Sequence, residues 1–209
     1  MTRKGALNGI KSILSKNDLV FCIGNYLYKE APEFDNEVLF FDQDYVDLIS
    51  VALGVSSVID NRVLVIIEDN YMLRYFNSIL QASVSKNNNF YIFVISTRLY
   101  SNEVKQVNIY DSLKSMKGVL YNSGFLVHDY TKYLENKASV KKLEKIYSKT
   151  IGPMLSLISI NNNRIYNKDI EIQRPDFNKF NEFILNSFND SVGEDDKVYF
   201  DIDSIMKDN

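Results

Sequence analysis

The sequence predicts an α/β fold built on a doubly wound, mostly parallel sheet with helices on both faces. The stretch 63–67, Val-Leu-Val-Ile-Ile, is apolar without alternation, as expected for a central strand that is covered on both faces. Further apolar runs at 18–23 and 90–96 are separated from it by segments that include helical spacing. This β-α-β-α-β order is typical of a parallel sheet whose strands are connected by helices.

The composition favours a single core and excludes several classes of partner. The chain has 209 residues, 45% of them hydrophobic, so we expect one α/β domain over 1–188, followed by an acidic tail over 189–209. A net charge of −3 without a basic block gives no reason to expect nucleic-acid binding. One cysteine, no signal peptide and no apolar run of about 18 residues predict a soluble cytoplasmic protein without disulfides or membrane contact.

The other elements follow from apolar spacing and from turn residues. A helix from Tyr45 can be capped by the polar residues 42–44, and Gly124 is placed to end a helix as its C′ residue. Ala52, Gly54 and Ser56 are small enough to let the first of these helices approach the sheet. We expect helices over 3–15, 45–58, 71–83, 111–124, 130–149 and 176–188, and strands over 38–41, 125–128 and 154–160.

Polar residues follow the central strand directly. Glu68, Asp69 and Asn70 occupy its carboxyl end, before the predicted helix 71–83. In open α/β sheets, ligands bind in the crevice at the carboxyl ends of the strands. We therefore place the candidate site here.

The order of segments resembles a known family. DLVFCIGN, LFFDQDYVDLISVALGVSS, RVLVIIEDN, FYIFVISTRLY and GPMLSLISI are similar, in this order, to segments of the diphosphate-binding domain of thiamine-diphosphate-dependent enzymes. Within that family the chain looks most like the small subunit of sulfopyruvate and phosphonopyruvate decarboxylases. The resemblance covers nearly the whole chain and implies the thiamine-diphosphate-binding fold. The order of the matches is specific, whereas each separate match is weak.

The resemblance also implies where a cofactor would bind, and the motifs there are altered. In the family, a Gly-Asp-Gly turn and a later Asn hold Mg²⁺ against the cofactor's diphosphate. Here the turn reads Glu68-Asp69-Asn70, and the position of the later Asn falls at Arg98, whose guanidinium has no lone pair for a metal. The turn near the aminopyrimidine falls at bulky residues, Gln43, Asp44, Tyr45 and Val46.

These departures predict that no catalytic residue and no bound cofactor are retained. Thiamine diphosphate and Mg²⁺, with Asp69 as the metal ligand, are expected only if the family activity survives. Family members also take an activating Glu from a partner domain, so even an intact site would need a second chain.

Several of these residues have more than one interpretation. Asp69 is either a metal ligand or the N-cap of the helix that follows. Arg98 either binds a phosphate or pairs with Glu68 or Asp69. His128 has no nucleophile at a recognisable spacing, which favours a structural role. Cys22, within an apolar strand, is expected to be a buried, inert thiol.

Three functional hypotheses follow. The first is a non-catalytic, interaction or structural subunit that keeps the fold and its assembly surfaces, as a homo-oligomer or with a protein partner. The second is a working 2-oxo acid decarboxylase subunit, and the third is a binder of another phosphorylated small molecule. The tail is expected to take part in assembly or to fold back on its own domain, because it carries an apolar cluster: Val198, Tyr199, Phe200 and Ile202.

Overall fold

A computed structural model describes residues 3–24, 27, 34, 38–41, 47–96, 100–102, 105–107, 110–129, 141, 145–149, 151–160, 182 and 184–189. Its helices are α1 (Arg3–Lys11), α2 (Leu48–Ser56), α3 (Asp69–Arg74), α4 (Phe76–Ser85) and α5 (Tyr110–Asn122). Its strands are β1 (Leu19–Ile23), β2 (Val38–Phe41), β3 (Val63–Glu68), β4 (Phe90–Ser96), β5 (Tyr100–Asn102), β6 (Lys105–Val107), β7 (Leu126–Asp129) and β8 (Met154–Ser159). Residues 145–147 and 184–189 are also helical.

Six of these strands form one parallel sheet in the order β2-β1-β3-β4-β8-β7. The prediction of parallel strands near 19–23, 62–67, 91–96 and 154–160 is confirmed. β3 lies between β1 and β4, and all six of its side chains are buried, which explains why its sequence does not alternate. The antiparallel pair β5–β6 forms a separate two-stranded sheet that the sequence analysis missed.

Helices cover both faces of the large sheet, as predicted. On one face, odd-numbered residues of β1 and β3, such as Phe21 and Val65, pack with α2, α3, α4 and α5. On the other face, even-numbered residues such as Cys22 and Ile66 pack with α1 and with Tyr147. Burial on both faces follows from the alternation of side chains along each strand.

Several predicted helices have different bounds in the structure; α1, predicted over 3–15, ends at Lys11. Most residues of the helices predicted over 130–149 and 176–188 lie outside the described part of the chain. The helix predicted from Tyr45 begins at Leu48, where the Asp47 side chain accepts hydrogen bonds from backbone N–H groups at the helix start. Ala52 and Ser56 are buried as expected, but an added Cβ at Gly54 would meet nothing within 4 Å, so Gly54 does not set the approach to the sheet.

The helix predicted over 71–83 is divided into α3 and α4 at Tyr75. Neither Gly nor Pro marks this break in the sequence. Gly124, by contrast, follows α5 with a φ of +112°, and the Phe125 N–H donates to Leu120 O, as in a glycine-terminated helix.

Within the described residues, no helix is long and apolar enough to cross a membrane.

Candidate functional site

The carboxyl ends of β1 and β3 bring Gly24 and Glu68 into contact. The parallel register pairs Ile23 with Ile67, so Gly24, which follows β1, and Glu68, the last residue of β3, lie side by side at this edge. Gly24 has a φ of +153°, and a Cβ added to it would lie 2.7 Å from both Cγ and Cδ of Glu68. The Glu68 side chain therefore lies directly over the Gly24 backbone, in space that only glycine leaves open.

Asp69 is linked to the end of β4. The Ser96 hydroxyl donates a buried hydrogen bond of 2.8 Å to Asp69 Oδ2. Glu68 and Asp69 are only 3% and 2% exposed, so two adjacent carboxyl side chains are buried at this edge. Burial of a carboxylate is costly unless polar groups compensate it, which gives the Ser96 hydroxyl a clear physical role.

The N-cap interpretation of Asp69 is wrong. Helix α3 begins at Asp69 itself, and the cap position is Glu68, whose side chain makes no capping hydrogen bond. An Asp before a helix favours a cap when only local partners are considered. Here the Asp69 carboxylate accepts a hydrogen bond from Ser96 of β4 instead.

A third acidic residue near this edge, Asp47, was not singled out from the sequence. Its Oδ1 accepts from the N–H groups of Ile49 and Ser50, at 3.2 Å each, and its Oδ2 accepts from the hydroxyls of Ser50 and Ser78. Asp47 thus caps α2 and joins it to α4. The sequence signal that could have identified Asp47 is an Asp directly before the apolar residues that begin α2.

Several predicted site residues lie outside the described part of the chain. These are Gln43, Asp44, Tyr45 and Arg98, so the expected pairing of Arg98 with a carboxylate stays a prediction. Asn70 lies in the first turn of α3. His128 lies on β7, the edge strand beside β8, and Cys22 is 1% exposed. Burial raises the pKa of the Cys22 thiol far above its usual range, as expected of an inert cysteine.

The described residues fit a magnesium diphosphate poorly. The Glu68 side chain fills the space above Gly24 through which backbone N–H groups would approach a phosphate. Two buried carboxyl side chains also place acidic groups where an anion would bind. Among the residues that the structure describes, no group of three or more His, Cys, Asp or Glu side chains is arranged to hold a metal ion.

The amino ends of the strands, at the opposite end of the sheet, carry a different polar cluster. We call this end of the sheet the amino edge. Nε and Nη2 of Arg62, just before β3, donate to the two carboxylate oxygens of Asp18 at 2.8 and 2.6 Å. The guanidinium carbon lies 4.5 Å from the ring centroid of Tyr147, which in turn packs against Tyr91 at 4.8 Å between centroids. Asp18 is 2% exposed, and its carboxylate also accepts hydrogen bonds from the Ser15 N–H and hydroxyl, at 2.8 and 2.6 Å. This buried acid is therefore held by a two-pronged ion pair together with a local turn.

Comparison with known proteins supports the fold. No family model and no curated protein matches the chain. A solved structure does match: the X-ray structure of a protein assigned as a thiamin diphosphate-dependent enzyme, from Mycobacterium smegmatis. The two share a fold. The TM-score is 0.58 at 12% sequence identity, and the match covers 76% of this chain and 32% of that one. This chain therefore spans about a third of its structural neighbour, and the likeness shows the α/β fold alone.

Proposed function

We propose that this protein is a non-catalytic relative of the thiamine-diphosphate-dependent enzymes, acting as an interaction or structural subunit. The observation that carries the proposal is the position of the Glu68 side chain over Gly24. In the small subunit of the decarboxylases that the sequence resembles, the corresponding strand end is a glycine-flanked turn that leaves room for a diphosphate. Here a carboxylate side chain takes that room.

The energetic cost of placing a diphosphate at this edge is large. Two like charges about 4 Å apart repel by roughly 4 kcal/mol at an effective dielectric constant of about 20. A penalty of this size lowers affinity about a thousandfold. Binding would therefore require the Glu68 side chain to move away from Gly24, and this change opposes tight binding of the cofactor.

The assembly part of the proposal rests on the resemblance. In the family, each cofactor lies between two domains, so the surfaces beside the crevice meet another chain. The helices that correspond to those surfaces are α2, α3 and α4, and the Asp47–Ser78 hydrogen bond joins α2 to α4. Without a cofactor, contact with a second copy or with a partner protein is a remaining reason to keep these surfaces.

Calorimetric titration with thiamine diphosphate and Mg²⁺ tests the loss of cofactor binding. We expect no saturable heat up to millimolar ligand and no rise in melting temperature. The matched variant is Glu68→Gly with Asn70→Gly, which restores the Gly-Asp-Gly turn around Asp69 and removes the side chain above Gly24. Any gain of binding in this variant would identify Glu68 and Asn70 as the residues that prevent cofactor binding in the unaltered protein.

The opposite result would favour the working-enzyme alternative. A ligand at a hundred times its dissociation constant stabilises the native state by about 2.7 kcal/mol, a shift of several degrees. If the unaltered protein shows such a shift, the non-catalytic assignment fails. Decarboxylation of a 2-oxo acid in the presence of a partner chain would then be the next assay.

Light scattering tests the assembly proposal separately. We expect a species larger than one chain, and we expect truncation after Phe188 to change either its mass or its stability. If the full-length chain is monomeric, self-assembly is excluded, and assembly with a different partner protein is the alternative that remains. An unchanged oligomer with unchanged stability after truncation would show that the tail serves neither assembly nor folding.

A further inference from the structure

A polar groove lies at the amino edge of the sheet, away from the site described above. Its volume is about 590 Å³, within the range of roughly 300–1,000 Å³ that is usual for small-molecule sites. Its walls are the end of α2 with the turn over 56–60, the turn over 86–89 after α4, and the side chains of Arg62 and Tyr91. None of these residues takes part in the proposed loss of cofactor binding.

Side-chain hydrogen bonds hold the two turns of the groove together. Asn87 Nδ2 donates to the hydroxyls of Ser56 and Ser57, at 2.7 and 2.9 Å. Asn89 Nδ2 donates to the carbonyl oxygens of Ile59 and Asn61, at 2.7 and 3.0 Å. We call these contacts the asparagine seam. Because the seam fixes both turns, the groove is preformed, which reduces the cost of ordering it around a ligand.

Arg62 presents a fixed cationic group to this groove. Asp18 occupies Nε and Nη2, and the ring of Tyr147 lies against the guanidinium, so its position is set. No acceptor in the described part of the chain contacts Nη1, although a guanidinium can donate five N–H bonds. The side chain is 28% exposed and lines the groove, so its remaining donors are accessible to a ligand.

A second cation lies on the facing turn. Lys86 follows α4 in the left-handed conformation, with a φ of +58°, and it also lines the groove. Asp60 is the one acidic side chain among the lining residues. Carbonyl oxygens at the end of α2 already accept hydrogen bonds, for example Leu53 O from the Ser56 and Ser57 hydroxyls, which reduces their repulsion of an anion.

We propose that this groove binds the phosphate group of a small phosphorylated molecule, with Arg62 as its anchor and Lys86 as its second cation. Arginine offers phosphate a planar donor fork, and lysine adds a point charge. Because Asp18 already balances much of the Arg62 charge, Lys86 supplies the added positive charge that favours a phosphate dianion over a singly charged carboxylate. The serine and asparagine side chains along the walls are suited to hydrogen-bond the rest of the molecule.

The direct test is titration of the full chain with inorganic phosphate, followed by ¹H–¹⁵N NMR at constant ionic strength. We expect saturable shifts in the signals of 86–89 and Arg62, with a dissociation constant in the millimolar range or below. Acetate is the comparison probe, and we expect it to bind several times more weakly. Equal binding of acetate would overturn the phosphate assignment. The absence of saturable shifts at these residues would overturn the proposal as a whole.

Variants of the groove separate specific binding from general charge. Lys86→Ala should weaken phosphate binding about tenfold, whereas Asp60→Asn should strengthen it several-fold because it removes the one acidic side chain of the lining. The matched control is Lys145→Ala, which removes an exposed lysine that does not line the groove. If Lys86→Ala and Lys145→Ala have the same effect, binding depends on net charge and the groove is not the site.

Discussion

The buried acidic residues at the amino ends and at the carboxyl ends of the strands have different polar partners. At the amino edge, the carboxylate of Asp18 is held by the Arg62 guanidinium through two hydrogen bonds of 2.8 and 2.6 Å. At the carboxyl edge, the carboxylate of Asp69 receives a hydroxyl hydrogen bond, and Glu68 packs over a glycine backbone. An ion pair with two-pronged geometry offsets burial more fully than a neutral hydroxyl does. We predict that loss of the Arg62–Asp18 pair costs more stability than loss of the Asp47 contacts at the carboxyl edge, and mutations can test this difference.

The largest expected effect comes from Gly152 at the amino edge. A Cβ at this position would lie 2.7 Å from Phe90 O and 2.8 Å from Asn88 O, both backbone atoms that cannot move away cheaply. Gly152→Ala should therefore lower the free energy of unfolding by more than about 3 kcal/mol, measured by urea denaturation. The control is Gly54→Ala in α2, which meets no atom within 4 Å and should stabilise the protein by about 0.5–1 kcal/mol.

The next effect in size is loss of the Arg62–Asp18 pair. Arg62→Ala leaves the Asp18 carboxyl, 2% exposed, without its guanidinium. Breaking a fully buried ion pair lowers the free energy of unfolding by roughly 3–5 kcal/mol. Because the Arg62 side chain is 28% exposed, we expect Arg62→Ala to lower it by about 2–3 kcal/mol. A double-mutant cycle with Asp18→Asn, read by urea denaturation, measures the coupling. A coupling energy near zero would contradict the assigned role of the pair.

A smaller loss is expected at the other end of the sheet. Asp47→Ala removes the cap of α2 and the acceptor of the Ser78 hydroxyl, which should cost about 1–2 kcal/mol in thermal or urea unfolding. Ser78→Ala keeps the cap and removes the link between the helices, so its cost should be nearer about 0.5–1 kcal/mol. If both variants cost as much as Arg62→Ala, the inferred difference between the edges does not hold.

The smallest effect at neutral pH is expected at Tyr147. Its hydroxyl is buried and has no hydrogen-bond partner within the described residues, so Tyr147→Phe should change the unfolding free energy at pH 7 by less than about 1 kcal/mol. Burial raises the pKa of the Tyr147 phenol above its usual range. A raised folded-state pKa gives stability that is present below the unfolded pKa of about 10 and is lost above it.

The Tyr147→Phe variant should therefore lose less stability than the unaltered protein between about pH 10 and pH 11. Denaturation curves at a series of pH values would measure this difference. The Cys22 thiol and the Tyr91 phenol, whose pKa values burial also raises, are present in both proteins and cancel in the comparison. Parallel alkaline losses in the two proteins would contradict the assignment to Tyr147.

The sheet could be predicted from sequence because its pattern is local. A strand buried on both faces needs an unbroken apolar run, and Val63–Ile67 provides one. The same reasoning found the strand end at Glu68 and Asp69, where polar residues interrupt the run. It did not find the break at Tyr75, because this position carries neither of the residues that usually mark a helix boundary.

The contacts of the site could not be predicted, because they depend on residues distant in the chain. The sequence offers Asp69 a role as a metal ligand or as a helix cap, whereas one of its hydrogen-bond donors, Ser96, lies 27 residues later. The run of three asparagines at 87–89 indicates no partner in the sequence, yet Asn87 and Asn89 bind the end of α2 and the turn that follows it. Spacing rules describe neighbours along a helix or strand, so they cannot identify such partners.

The asparagine seam has a consequence for how the molecule opens. Its hydrogen bonds join residues 28 to 31 positions apart, and the Gly152 N–H also donates to Asn88 O in the same turn. Three connections of the sheet, those leading into β3, β4 and β8, therefore meet at one turn. Opening that turn alone would break contacts in the other two, so their amide protons should exchange with solvent as one cooperative unit. Closure of these long loops is also expected late in folding, since contacts so distant in sequence carry a high entropic cost.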